Sequence, residues 1–234
     1  MSNKEYSLPL LTNSSKENKM EKNVSCTYKR YKRTPNKAFL KQGDYVLAFD
    51  IGQTDMAYCL LKYTNKHRPP MEIIDWSIMN IGSGTVTNSV VELCKQVQLQ
   101  KTWSNVNYVV IEQQARINTK MVAISHALQA CLVMFGCADV RFASSACKFS
   151  VFHSMPLVTI LKPEPKDKSV SQRKKIRKLN SILLTYNIID GIDVSSDNAS
   201  MCCSRFSKAG SSTKDDYADS FVYAAAFIYK HEPF

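Results

Sequence analysis

Three aspartates fall within five residues in the stretch KDDYAD, at 215, 216 and 219. On a helix, either Asp215 (i to i+4) or Asp216 (i to i+3) shares a side with Asp219. Two more acids end apolar runs: Asp50 follows VLAF and Glu112 follows YVVI. An aspartate at a helix start caps free N–H groups, and one at a strand end opens a turn. Those roles account for one or two of these acids. Glu112 is different, because four apolar residues without alternation predict a strand buried on both faces, where a carboxylate is costly unless paired or metal-bound. Asp50, Glu112, Asp219 and one of Asp215 or Asp216 would offer hard oxygen ligands suited to magnesium. Two such ions, about 3.5–4 Å apart, can bind the attacking and leaving oxygens of a phosphodiester. Without a cation, four acids so placed would repel one another and take up protons.

Positioning these side chains requires a specific set of elements. Apolar runs bounded by turn residues predict strands over 45–51, 56–63 and 71–81, joined by short polar links as an antiparallel meander. Val90, Val91, Leu93, Cys94, Val97 and Leu99 predict a helix over 87–100. A fourth strand follows at 107–114, then a helix at 119–135 closed by Gly136, then a fifth strand at 139–144. Three prolines, at 156, 163 and 165, break any regular element between 145 and 168. Ile176, Leu179, Ile182, Leu183 and Tyr186 give an apolar side to a basic helix over 171–187. A polar loop then leads to a last helix at 215–230, whose buried side is Ala218, Phe221, Val222, Ala225 and Ile228. This order predicts an α/β fold: a mixed five-stranded sheet, a three-strand antiparallel meander plus parallel strands, flanked by helices. Trp76 and Trp103 read as core or edge residues, and His126 and His153 as structural.

The chain has 234 residues and a net charge of +11. Residues 1–43 hold ten Lys/Arg against three Glu, and residues 162–178 hold eight against two acids, so the remaining body is close to neutral. Two basic stretches on a neutral body point to a polyanionic partner. Residues 1–42 read as a flexible basic tail and 43–234 as the folded domain. No run approaches the roughly 20 apolar residues of a membrane helix, so no membrane partner is expected. Glu5, Glu17 and Glu21 weigh against a mitochondrial transit peptide. Eight cysteines occur without a CxxC pair, which favours free thiols in a reducing intracellular compartment over structural zinc or disulfides.

FDIGQTDMAYCLL, VVIEQQ and KDDYADSF, in this order and spacing, resemble the RuvC-like Holliday junction resolvases of the RNase H superfamily, in particular the poxvirus-type branch. The resemblance spans about residues 45–230 and implies an RNase H-like sheet. It implies an endodeoxyribonuclease that resolves four-way DNA junctions by paired symmetric nicks, acting as a homodimer on branched DNA. Its Lys-x-Asp-x-x-Asp pattern selects Asp216 over Asp215, so the implied catalytic metal ligands are Asp50, Glu112, Asp216 and Asp219. They would hold two magnesium ions, with manganese an acceptable substitute. Arg173, Lys174, Lys175, Arg177 and Lys178 would grip backbone phosphates, with Lys148 and Lys214 as further DNA contacts near the cut. A poxvirus-like member would work in host cytoplasm. Competing readings are an actin-like or sugar-kinase-like ATPase, which also opens on an acid–Ile–Gly strand, and a protein that binds branched DNA without cutting it. A third is an RNA-strand or transposon nuclease of the same fold.

Overall fold

A computed structural model describes residues 40–65, 69–137, 139–145, 147–154, 161–162 and 169–232. The expected tail lies outside them except for its last three residues. Of these, Leu40 is buried and donates its backbone N–H to the His231 carbonyl at 3.1 Å.

Apolar runs bounded by turn residues build five strands: β1 (Tyr45–Ile51), β2 (Asp55–Tyr63), β3 (Met71–Asn80), β4 (Tyr108–Glu112) and β5 (Asp139–Ala143). They form one mixed sheet in the order β3-β2-β1-β4-β5. β1, β2 and β3 pair antiparallel as the expected meander, while β4 runs parallel to β1 and β5 parallel to β4. Gly52 makes the first hairpin possible. Its N–H bonds the Asp55 carbonyl at 2.9 Å, and a Cβ there would stand 2.2 Å from that oxygen.

Side-chain alternation sorts each strand between two cores. Leu47, Phe49, Ile51, Val109 and Ile111 join one face with Trp103 and Leu93, Val97, Ile124, Leu128 and Leu132. The last five belong to α1 (Val86–Leu99) and α2 (Thr119–Met134). Val46, Ala48, Cys59, Trp76 and Val110 join the opposite face with the C-terminal helices. Trp76 is buried and donates its indole N–H to the Tyr217 carbonyl at 3.0 Å. The short α3 (Cys147–Ser150) precedes a 3₁₀ turn at Val151–Ser154, and α4 (Val170–Ile189), α5 (Asp197–Lys208) and α6 (Ser211–His231) complete the order.

Three expectations need correction. The 145–168 segment, expected to hold no regular element, contains α3 and the 3₁₀ turn ahead of its first proline. The polar loop before the last helix contains α5, which Ser196 caps by accepting the Ala199 N–H and which buries Ala199, Cys202 and Phe206. Serine-rich composition hid an amphipathic stripe of only three residues. The last helix also begins four residues earlier than expected, after Gly210, so its first turn contains no acid. Asp215, Asp216 and Asp219 lie further along the helix, and N-terminal capping does not explain them.

α6 crosses β1 and β2 closely because Ala218, Ala224 and Ala225 are fully buried in its contact face. Ala225→Leu should therefore cost about 1–3 kcal/mol through overpacking. Urea unfolding followed by circular dichroism should show a lower midpoint with an unchanged slope.

Candidate active site

Asp50 and Glu112 come from neighbouring parallel strands. The register pairs Ala48 with Val110, and each acid lies two residues further on, on the face that α6 covers. Burial pushes the Asp50 carboxyl well above the usual carboxylate range. Its hydrogen bond with Glu112, and the charges of Glu112, Asp219 and Asp216, push in the same direction. Crowding by like charges with no cation to offset them favours the neutral form of that carboxyl. The Gln114 side-chain amide reaches back to Glu112 at 3.4 Å and orients it.

α6 gives Asp215 and Asp216 different surroundings. Asp215 is buried and forms an ion pair with Lys178 of α4. Asp216 lies near Asp219 and Asp55 as well as Lys178. Burial raises its carboxyl pKa, Asp219 and Asp55 add to the rise, and Lys178 and Lys174 oppose it. One turn on, Asp219 accepts an ion pair from Lys148 at 2.6 Å. Asp50, Glu112, Asp216 and Asp219 thus meet in one electrostatic neighbourhood.

The sequence reading missed two groups. Tyr223 is buried, and its hydroxyl lies toward Glu112 without a well-formed hydrogen bond among the described residues. Burial and the charges of Glu112, Asp219 and Asp50 drive its pKa upward. It sits four residues after Asp219, so helical spacing alone could have found it. Asp55, at the start of β2, accepts bonds from Asn80 at 2.8 Å and Thr54 at 3.2 Å and acts on Asp216.

The basic residues divide by environment. Lys174 and Lys175 are exposed on α4, Arg173 and Arg177 are half-buried, and Lys178 is engaged by Asp215. Lys174 and Lys178 lie close enough to lower the Asp216 pKa, so this side of α4 borders the acids. Lys214 instead bonds the Ser207 carbonyl at 2.9 Å and the Tyr186 hydroxyl at 3.2 Å, anchoring the end of α5. Lys148 is buried rather than presented to solvent. His126 is exposed and its ring lies tilted against Phe142, centroids 5.2 Å apart, whereas the side chain of His153 lies outside the described residues.

Among the described residues, no three His, Cys, Asp or Glu side chains form a ready-made metal cage. The Lys148 ammonium beside Asp219 offsets part of the negative charge instead. The donor set still fits a hard divalent cation. It offers several carboxylate oxygens beyond the local positive charge, and a buried hydroxyl faces them.

The five-stranded order with helices on both faces is an RNase H-like fold, and solved structures share it. The yeast mitochondrial Holliday junction resolvase Ydc2 aligns with a TM-score of 0.54 at 14% identity, over 83% of this chain and 82% of that one. Thermus thermophilus RuvC aligns at 0.52 and 11%, over 79% and 93%. RuvC in complex with a Holliday junction substrate aligns at 0.50 and 11%, over 80% and 93%. At these identities the likeness establishes the fold. No protein-family model and no curated protein matches the chain.

Proposed function

We propose that this chain is a divalent-metal-dependent endonuclease that resolves four-way DNA junctions. The observation that carries the reading is that Asp50 and Glu112 project from register-paired parallel strands on the sheet face covered by α6, the helix that carries Asp216 and Asp219. Structures sharing this fold include a RuvC–Holliday junction complex, which supports the choice of substrate.

Bound magnesium, or manganese in its place, would activate a water for attack on phosphorus and stabilise the leaving oxygen. The chain contributes rigidity. Asp50 and Glu112 project from paired strands, and Gln114 limits the rotation of Glu112. Asp216 and Asp219 project from a helix held by buried alanines. Burial keeps the acids poorly solvated, which strengthens their grip on a cation. Lys174 and Lys175, with the rest of the basic α4 face, position backbone phosphates beside the acids.

The active form is a homodimer, since a four-way junction is two-fold symmetric and needs two cuts. The outer side of α2 suits such a contact. Residues 121–134 contain no charged side chain, and Val133 and Met134 are exposed. Depletion of charge is the signature of an interface core.

Incubation with a synthetic four-way junction, linear duplex and RNA–DNA hybrid in magnesium tests the reading. The expected products are paired, symmetric nicks in the junction alone. Asp216→Asn should stop cutting and leave junction binding intact or tighter. Equal cutting of linear duplex, cleavage of the hybrid instead, or ATP hydrolysis without DNA cleavage would each overturn the proposal.

A further inference from the structure

Lys148 is 4% exposed, and its ammonium lies 2.6 Å from Asp219 Oδ1. The rings of Phe149 and Tyr223 flank that ammonium at 5.2 and 5.4 Å. A buried ammonium is costly unless paired, so this lysine is built into the acid cluster and does not belong to the solvated basic surface. We propose that Lys148 is a resident counter-ion, occupying an oxygen of Asp219 whenever a divalent cation is absent, so that metal loading and release of Lys148 are one coupled event.

This inference rests on the reading of the four acids as metal ligands. A dication approaching Asp219 meets a like charge on the very oxygen it needs. Lys148 therefore weakens metal binding while sparing the metal-free fold an uncompensated buried carboxylate. Coupling of this kind is reciprocal. Any anion that draws the ammonium off Asp219, such as a nucleic-acid phosphate, tightens the metal by the same factor. The site would then load fully only when DNA is present. A purely supporting role predicts the opposite sign, because removing an outer partner that orients a ligand weakens metal binding by about 10–100-fold.

Manganese titration of the full chain without DNA, followed by the EPR signal of free Mn2+, separates the two. Lys148→Met should bind Mn2+ about tenfold tighter than the wild type, from the loss of one like charge beside the ion. Lys148→Arg should match the wild type, and Asp219→Asn should bind at least about tenfold more weakly. Equal or weaker binding by Lys148→Met overturns the counter-ion role. If Asp219→Asn is weakened in the same series, the ligand reading survives. No Mn2+ binding by the wild type overturns the ligand reading and the inference with it.

A second measurement needs no variant. Reductive dimethylation of the wild type, read by mass spectrometry, should label Lys148 slowly, and saturating Mn2+ should raise that rate severalfold. An unchanged rate overturns the coupling.

Discussion

Asp50→Asn is expected to reduce junction cleavage by at least about a thousandfold, roughly 4 kcal/mol of transition-state stabilisation, while the protein stays folded. The surroundings of this side chain strongly favour its neutral form. Burial, the bond with Glu112 and three negative charges all raise its pKa. Asparagine is neutral and nearly isosteric, so it suits the metal-free fold at least as well as aspartate. It offers one weak oxygen to a dication where the native carboxylate offers two charged ones, and the catalytic loss follows from that. Cleavage at saturating junction, compared with binding of the same junction, isolates the effect. An Asn variant that cuts at the native rate would remove Asp50 from the ligand set.

The same substitution has a stability signature with a definite sign. The folded Asp50 carboxyl holds its proton to higher pH than the unfolded one. Its stabilising contribution is therefore complete below the unfolded pKa, near 3.9, and is lost as pH rises through the raised folded value. Asparagine has no proton to lose. In metal-free buffer, the unfolding free energy of the variant should fall less with rising pH above about 4 than that of the wild type. Urea titrations at several pH values measure the difference, and parallel profiles would contradict the assigned cause.

The second large effect concerns affinity. Lys174→Glu with Lys175→Glu should weaken junction binding by about a hundredfold near physiological salt. It should also make the slope of log K against log salt less negative by about 2, as expected for two lost phosphate contacts. Both lysines are exposed, and they stand in the second turn of a helix closed by the Ser169–Gln172 capping box, so the helix itself should survive. Lys174 also holds the Asp216 pKa down. Reversing its charge should therefore reduce cleavage even when DNA is saturating. Fluorescence anisotropy across a salt series, run without metal to prevent cutting, supplies the slope. An unchanged slope would take this face of α4 out of the interface.

The sheet was legible because strand signals are local. The apolar run of β1, the uninterrupted YVVI of β4 and the turn at Gly52 each report directly on their own neighbourhood. Acids ending two such strands stood out for the same reason, since carboxylates are costly beside an apolar core. α5 was not legible. Its apolar stripe, Ala199, Cys202 and Phe206, is sparse, and its stability comes from packing against β3 more than from composition.

Sequence alone determined which acids end the central strands, which of them share a helix side, and how the strands must alternate. Those follow from periods of two and 3.6 residues, which any short window reveals. Only the tertiary structure decided that Asp215 belongs to Lys178, that Asp216 lies near Asp219 and Asp55, and that Lys148 and Tyr223 lie beside Asp219. Those outcomes depend on where α6 begins and on a lysine 37 residues away in the chain. Charge pairing acts through space, so no local pattern of residues encodes it.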